Sequence, residues 1–394
     1  MAYVTEEQLQ NLSQYKYSSV DKSPVSKYIL QPYWTRLVEL FPLWMAPNLI
    51  TLLGFSCILV NLATVLIYDY DLSGECPRWA YFTFALGFFI YQSFDAIDGK
   101  QARRTGTSGP LGELFDHGCD ALNTSLGAIV VAETLQLRQS WWTALSLFTA
   151  MCNFYLSTWE EYHTGTLFLG YFSGPVEGVI VIVLVMLATG VVGPSVWLLP
   201  FKETFGLTNI SNDIIPEIQL NHAIIIVTFV ALLYNIISSI KNVVDVKSTS
   251  WRQLGLALAG LLPFFVSSAL AYIWLLASPV LLTQHQVAFI LYTGVTSSYI
   301  VGRIILAHVT KSEFPFFNIV YVPLLIGTVN ACVPAVLGYD PLIPLEYETT
   351  YLYASLGLVV AIYSHLAFSI IRAFCRHLDI YCLSIKHQQT LKQN

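Results

Sequence analysis

Four aspartates in the first third of the chain occur in pairs with helical spacing. Asp95 and Asp98 are three residues apart, and Asp116 and Asp120 are four residues apart. Because residues at these spacings share one face of a helix, each pair can point in a single direction. Four unpaired carboxylates at one point would repel each other, and a divalent cation removes that repulsion. All-oxygen ligands favour hard ions, so the pattern predicts a Mg²⁺ or Mn²⁺ site.

The residues between the aspartates indicate what the site binds. Gly99 directly follows Asp98, and Gly112 lies one helical turn before Asp116. A missing side chain lets a bulky ligand approach the backbone. Arg103 offers a guanidinium suited to a phosphate, although it could instead pair with an aspartate. Metal, arginine and open backbone together predict a phosphate-bearing substrate.

Three other interpretations of the aspartates are open at this point. They could be solvated loop charges, or they could pair with Lys100, Arg103 and Arg104. They could also line the ion path of a cation-coupled transporter, because acids within membrane segments often do so. A loop does not require helical phasing on both sides, and the glycines weigh against a transporter.

The elements that position these residues are predicted to be membrane helices. The 394 residues are 55% hydrophobic and only 11% charged, whereas soluble domains carry about 25% charged residues. Because a bilayer offers no partner for free backbone groups, we expect an all-α polytopic fold. Apolar stretches of about 20 residues can cross the hydrocarbon core. The ten candidate spans are 47–69, 79–97, 117–136, 140–158, 170–199, 221–240, 254–276, 285–308, 316–338 and 350–371.

These spans predict three regions along the chain. Residues 1–46 are interpreted as a cytosolic N-terminal tail, polar over 1–24, followed by an amphipathic interfacial helix over 25–45. Residues 47–372 form the ten-helix catalytic domain, and residues 373–394 form a cytosolic tail. The fifth span is long enough to be broken near Gly174 and Pro175. Tyr33, Trp34 and Trp44 suit the level of the lipid headgroups.

Basic residues predict the orientation of the spans. With the N-terminus in the cytosol, only Arg78, Arg138 and Lys202 of the 19 Lys and Arg residues fall on the opposite side. This bias satisfies the positive-inside rule and places the aspartates at the cytosolic face. Asn209 then begins a glycosylation sequon in a lumenal loop, whose use remains open. Nothing in the composition suggests a nucleic-acid partner.

The spacing of the charged stretch resembles a known signature. Asp95-x2-Asp98-Gly99-x2-Ala102-Arg103-x8-Gly112-x3-Asp116-x3-Asp120 is similar, without departure, to that of the CDP-alcohol phosphotransferase family. Stretches such as "FPLWMAPNLITLLGF", "SGPLGELFDHGCD", "GPVEG" and "LDIYCLSIKH" extend the resemblance nearly from end to end. Over its length the chain resembles the eukaryotic, fungal-like cholinephosphotransferase and ethanolaminephosphotransferase branch of that family.

This resemblance implies a membrane enzyme of the endoplasmic reticulum or Golgi, acting at the cytosolic face and assembled as a homodimer. The implied reaction moves phosphocholine or phosphoethanolamine from CDP-choline or CDP-ethanolamine to diacylglycerol and releases CMP. The four signature aspartates would hold two Mg²⁺ or Mn²⁺ ions about 4 Å apart. Arg103 would contact a phosphate. Room for the cytidine nucleotide would come from Gly99, Ala102 and Gly112.

The identity of the general base stays open. Asp120 is the candidate throughout the family, but a carboxylate bound to a metal is a weak base. His117 follows Asp116 and has an ordinary pKa near 6.5, and Glu113 on the same helical face could orient its ring. Glu177, in the "GPVEG" break, is the second candidate and could contact the acceptor hydroxyl.

Two further groups are interpreted from their positions. Asn48 lies at the start of the first span, three residues before Thr51, where it either caps the helix or contacts nucleotide. The acidic stretch that ends the fourth span is interpreted as a solvated turn; its polar residues are Glu160, Glu161 and His163.

Two alternative functions remain. One keeps the chemistry but uses CDP-diacylglycerol as donor. Family members of that kind are generally shorter and have fewer spans than the ten predicted here. The other is the cation-coupled transporter, which predicts internal repeats that the sequence does not display. The choice between choline and ethanolamine, the acyl preference and the dimer contacts cannot be assigned from the sequence.

Overall fold

The computed structural model describes residues 3–74, 76–170, 174–214, 216–248 and 250–386, with Gly174 and Pro175 described by their backbone only. A helix occupies each of the ten predicted spans, so the predicted all-α membrane fold is confirmed. The helices are α1 (Glu6–Asn11), α2 (Gln31–Leu37), α3 (Pro47–Tyr68), α4 (Arg78–Thr105), α5 (Pro110–Thr134), α6 (Trp141–Thr164), α7 (Val179–Val192), α8 (Phe201–Thr204), α9 (Leu220–Lys247), α10 (Trp251–Ala259), α11 (Leu262–Ala277), α12 (Pro279–Thr283), α13 (Gln286–Val309), α14 (Tyr321–Leu337) and α15 (Glu348–His377).

Within the described ranges, five helical segments meet both the length and the hydropathy needed to cross a membrane. They are α3, α9, the α10–α11 pair, α13 and α15. Helices α4, α5 and α6 are of similar length, at 28, 25 and 24 residues, but they carry the acidic residues of the candidate site. The fifth predicted span is broken as expected, since a π-type turn at Gly174–Gly178 precedes α7.

The turn between α4 and α5 is short. Helix α4 ends at Gly106, whose φ of 67° lies in the left-handed region that glycine adopts without strain. Helix α5 then begins at Pro110, a residue favoured in the first turn because it needs no backbone hydrogen bond there. Helix therefore covers most of the stretch between Asp98 and Asp116. The turn brings carboxylates from the two aspartate pairs together.

Close helix packing holds this hairpin in place. Helix α3 packs against both α4 and α5, and α13 packs against the other side of α5. A side chain at Gly87 of α4 would lie 2.3 Å from the amide of Asn61 on α3. A side chain at Gly294 of α13 would likewise lie 2.3 Å from Ser125 on α5. Both approaches therefore require glycine, and the site-bearing helices are fixed on two sides.

The N-terminal segment packs against the helical bundle. We call residues 3–24 the strap. Its helix α1 begins with a capping box between Thr5 and Gln8, and its Leu9 and Leu12 are buried. Strand β1 (Ser19–Asp21) pairs in parallel with strand β2 (Leu167–Leu169). The sequence predicts only a polar tail here. Its few apolar residues are too scattered to indicate that the segment packs against the helices.

The interfacial segment is helical over residues 26–40, as a π-type turn, α2 and a final 3₁₀ turn. Trp44 is exposed, in keeping with a position at the headgroups. Trp34 is buried against Ile97 and Val176, so its predicted position at the membrane surface is wrong. The amphipathic pattern identifies the helix but not which aromatic residues face the protein.

The exposed turn between α4 and α5 allows the predicted orientation to be tested. Ser108 is exposed in this turn. We expect a Cys at position 108 to react in sealed microsomes with a thiol reagent that cannot cross membranes, because the positive-inside bias places this turn in the cytosol. A Cys at Asn209, also exposed, should react only after permeabilisation. The opposite labelling pattern would show that the predicted orientation in the membrane is wrong.

Candidate active site

Three signature aspartates converge between α4 and α5. Carboxylate oxygens of Asp95, Asp116 and Asp120 all lie within 4.8 Å of one another. The Oδ1 atoms of Asp95 and Asp116 are buried, and neither has a hydrogen-bond partner. The helical phasing predicted from the sequence therefore does bring carboxylates from the two pairs to one point.

Neighbouring hydroxyl groups fix the remaining aspartate oxygens. Thr51 of α3 donates a hydrogen bond to Asp98 Oδ2. Tyr91, one turn before Asp95 on α4, donates to Asp120 Oδ1. These bonds hold two of the four carboxylates while leaving oxygens of Asp95 and Asp116 without a partner. The spacing of Thr51 after Asn48 was visible in the sequence, but its contact with Asp98 was not.

The carboxylate group suits a divalent cation. Asp116 experiences unfavourable electrostatic interactions with Asp95, Asp98 and Asp120. Buried carboxylates that repel each other and lack donors are stabilised by a cation that accepts several oxygen ligands. The all-oxygen donor set, together with the orphaned oxygens of Asp95 and Asp116, therefore fits such an ion.

The basic residues of α4 do not neutralise the aspartates. Lys100 donates to Thr35 at 3.2 Å, and Arg104 donates to the carbonyl groups of Val38 and Phe41. Both therefore fasten α4 to the interfacial segment. Among the residues that the structure describes, no ion pair joins Arg103 to an aspartate. The pairing and solvated-loop interpretations are thus wrong for this site.

The small residues leave space beside the carboxylates. A side chain at Gly99 would meet only the guanidinium of Arg103, 3.6 Å away, and Arg103 is itself exposed. A side chain at Gly112 would meet only Asn48 Oδ1, 3.9 Å away. Ala102 lies four residues after Asp98 on α4, on the same face. A Cβ at either glycine would therefore make only an ordinary van der Waals contact. The approach of a ligand at these residues stays a prediction.

Asn48 does not cap its helix. The N-cap of α3 is Ala46, without a side-chain hydrogen bond, so the capping interpretation is wrong. The Asn48 amide instead donates to the carbonyl of Cys382 at 3.1 Å. Residue 384 also forms a bridge with Met45, so the segment that follows α15 returns to the site.

His117 lies between two carboxylates. Its Nε2 is 4.0 Å from Asp116 Oδ2, and its Nδ1 is 3.8 Å from Glu161 Oε2. His117 is only 8% exposed. A buried imidazole with a carboxylate near each ring nitrogen is a candidate general base.

Glu161 is buried, contrary to the prediction from the sequence. Glu160 and Glu161 are each 4% exposed in the last turn of α6, so the predicted solvated turn is wrong. Glu160 accepts a hydrogen bond from Asn242 at 2.6 Å, while Glu161 faces His117. Adjacent acids at a helix end are usually solvated. Here Glu160 is covered by α9, and Glu161 is covered by α5 and α13.

Glu113 belongs to a second group of buried polar residues. Its Oε1 is 3.7 Å from His308 Nε2, and Tyr15 of the strap donates to its Oε2. Glu113, Glu161 and His308 lie within 4.8 Å of one another. Burial, and after it the Glu113 carboxylate, raises the pKa of Tyr15, so this hydroxyl stays protonated as a donor. Glu113 therefore contacts His308 and Tyr15 and lies beside Glu161. Among the described residues, Glu161 rather than Glu113 is the glutamate that faces the His117 ring.

Glu177 lies in the π-type turn before α7 and is half-buried. Ser23 of the strap donates a hydrogen bond to its Oε1. This contact joins residues 154 positions apart in the chain, and no local sequence pattern indicates it.

Comparison with known proteins places this site in a family. The model for CDP-alcohol phosphatidyltransferases matches residues 44–292, which include all four aspartates. The chain belongs to this family. Cholinephosphotransferase 1 of Saccharomyces cerevisiae is 38% identical over 99% of this chain and 99% of its own. Choline/ethanolaminephosphotransferase 1 of the same yeast is 38% identical over 98% and 99%.

The relatives of this family member extend beyond fungi. Choline/ethanolaminephosphotransferase 1 of Arabidopsis thaliana is 35% identical over 99% of this chain and 100% of its own. Since these alignments are nearly complete, the strap and the segment after α15 have counterparts in the relatives. Membership of the family makes the protein a membrane transferase and excludes the transporter interpretation.

Proposed function

We propose that this protein transfers phosphocholine or phosphoethanolamine from the corresponding CDP-alcohol to diacylglycerol, with release of CMP. The observation that carries the proposal is the convergence of Asp95, Asp116 and Asp120 within the matched family region. The full-length relatives named for choline and ethanolamine transfer support the head groups. Because names of both kinds occur at equal identity, we propose both donors.

The aspartates are proposed to hold two Mg²⁺ or Mn²⁺ ions. Asp95, Asp98, Asp116 and Asp120 would be the ligands, and the ions would supply neutralisation of the pyrophosphate charge. Arg103, exposed beside Gly99, is placed to contact a phosphate of the donor. Open space at Gly112, next to Asn48, supports a nucleotide position there.

The transfer itself is a displacement at the phosphorus that bears the choline or ethanolamine. The diacylglycerol oxygen forms a bond to this phosphorus, and the bond to the bridging oxygen of CMP breaks. His117 takes the hydroxyl proton, and CMP leaves with the bridging oxygen and its electron pair. Glu161, at 3.8 Å from Nδ1, is placed to orient the ring with Nε2 available. Glu177 is proposed to contact the acceptor hydroxyl.

The setting of the reaction follows from the membrane fold. We propose an active site facing the cytosol in the endoplasmic reticulum or Golgi membrane, because Lys100, Arg103 and Arg104 lie at the end of α4 that also carries Asp95 and Asp98. Diacylglycerol then enters from the bilayer. A homodimer is proposed from the resemblance to the family.

The purified full-length protein provides the test of this function. We expect CMP release from CDP-choline and CDP-ethanolamine at equal concentration, only when both diacylglycerol and Mg²⁺ or Mn²⁺ are present. Phosphatidylcholine or phosphatidylethanolamine should form in equal molar amount with CMP, which thin-layer chromatography measures. The control replaces the donor with CDP-diacylglycerol and the acceptor with inositol. Product in that control, and none with the CDP-alcohols, would assign the chain to the alternative donor class.

A further inference from the structure

The strap reaches two glutamates on the acceptor side of the site. The proposed function places Glu177 at the acceptor hydroxyl, and Glu113 lies beside Glu161, the carboxylate that faces His117. Tyr15 donates to Glu113 on α5, and Ser23 donates to Glu177 in the turn before α7. These contacts join residues 98 and 154 positions apart. One short segment of the N-terminus therefore links two carboxylates that belong to separate helical elements.

The hydroxyl of Ser23 has a defined direction. Its oxygen accepts the backbone N–H of Ser26 at 2.9 Å, and the backbone N–H of Ser23 donates to Asp21 at 2.9 Å. Since the Ser26 donor occupies a lone pair of the oxygen, the hydroxyl proton is left to point at Glu177. Ser23 is 1% exposed, so water does not compete for this bond.

Tyr15 secures the other carboxylate in a similar way. Its hydroxyl binds Oε2 of Glu113 while His308 lies beside Oε1. Glu113 is therefore held between the strap and α13. Carboxylate oxygens of Glu113 and Glu161 lie within 4.8 Å of each other. A shift of Glu113 would therefore change the surroundings of Glu161, the carboxylate that faces His117.

The short sheet fixes the strap between these two contacts. Ser19, Val20 and Asp21 pair with residues 167–169, and the N–H of Lys22 donates to the carbonyl of Leu169 at 3.0 Å. Backbone pairing of this kind prevents the strap from sliding along the bundle. The positions of Tyr15 and Ser23 are thereby set together.

We infer that Tyr15 and Ser23 are positioning residues of the transfer reaction, each holding one glutamate at the acceptor side of the site. The inference rests on the proposed function. It assigns a catalytic contribution to the N-terminal segment, which the sequence predicts as a polar tail.

The test measures steady-state kinetics of Ser23→Ala and Tyr15→Phe in the full-length protein. Each change removes one hydrogen bond to a glutamate of the site, and we expect kcat to fall about tenfold. The KM for the CDP-alcohol should stay within about twofold, since neither hydroxyl binds an aspartate or a glycine of the proposed donor site. Ser23→Thr keeps the hydroxyl and should recover most of the lost kcat.

Two variants of the same segment act as matched controls. Ser13→Ala changes a strap serine that is exposed and whose hydroxyl binds the carbonyl of Gln10 and not Glu177. Tyr3→Phe removes a strap hydroxyl that contacts His365. Both should keep kcat within about twofold of the wild type, because neither hydroxyl contacts a glutamate of the site.

A double-mutant cycle separates positioning from a merely structural role. In a Glu177→Gln background, Ser23→Ala should reduce kcat no further, because the group it positions is already changed. An equal fold loss in both backgrounds, or unchanged kcat in Ser23→Ala and Tyr15→Phe, would refute the inference. Wild-type protein that releases no CMP with any acceptor would instead refute the proposed function.

Discussion

Replacing Asp116 with Asn should reduce CMP release by several orders of magnitude. Asp116 contributes an orphaned buried oxygen to the carboxylate group and repels each of its three partners. An amide at this position removes the negative charge that binds the cation, and neutralisation of the transferring phosphate is worth several kcal/mol in such reactions. Asp95→Asn, Asp98→Asn and Asp120→Asn should behave alike. The assay is CMP release by purified protein at saturating donor and diacylglycerol.

The same experiment includes metal removal and a matched control. A chelator should abolish the wild-type activity, and Mg²⁺ or Mn²⁺ should restore it. Asp213→Asn, at an exposed position of the loop before α9, should keep full activity because its carboxylate faces solvent. Full activity in any one of the four signature variants would exclude that residue from the metal site. Activity that survives the chelator would reject the cation altogether.

Replacing His117 with Ala should lower kcat by about 10²–10⁴-fold, the usual contribution of a general base. Binding of the CDP-alcohol should change little if His117 acts on the acceptor hydroxyl and the aspartates hold the donor, as proposed. Single-turnover rates and equilibrium binding of CDP-choline would separate these two effects. His377→Ala, which changes an exposed histidine at the end of α15, is the matched control and should be fully active.

Glu177 provides the competing explanation for this result. Glu177→Gln should slow the reaction less than His117→Ala if Glu177 only contacts the acceptor hydroxyl. Suppose instead that His117→Ala retains more than about a tenth of kcat, below the usual effect of a base, while Glu177→Gln is inactive. Glu177 would then be the base, and His117 would serve to position Asp116.

The central part of the site was predictable because its information is local. The spacing of Asp95, Asp98, Asp116 and Asp120 follows the period of a helix, and the structure brings oxygens from the two pairs together. Helices at the ten predicted spans were predictable for a similar reason, since apolar length is a property of continuous sequence. Five of the described segments also have the length and hydropathy needed to cross a membrane. The charged stretch between the aspartate pairs is mostly helical, because α4 continues to Thr105 and α5 begins at Pro110.

The surroundings of the site were not predictable from one sequence. Glu161 resembles a solvated acid, but the packing of α6 against α5 and α13 buries it. Tyr15, Ser23 and Cys382 lie far along the chain from the residues they bind. Such contacts depend on how helices are arranged in space, which neither composition nor periodicity specifies.

The strap and the segment after α15 both contact residues around the site, and this sets the order in which the site is assembled during synthesis. A ribosome delivers the strap and the four signature aspartates first. The strap's partners at Leu167–Leu169 and Glu177 emerge later, and Cys382, which binds Asn48, emerges after α15. A nascent chain halted after α6 carries the signature aspartates with Thr51 and Tyr91, but it lacks Glu177, His308 and Cys382. The surroundings of the carboxylates are therefore complete only after α15 and the segment that follows it have been made.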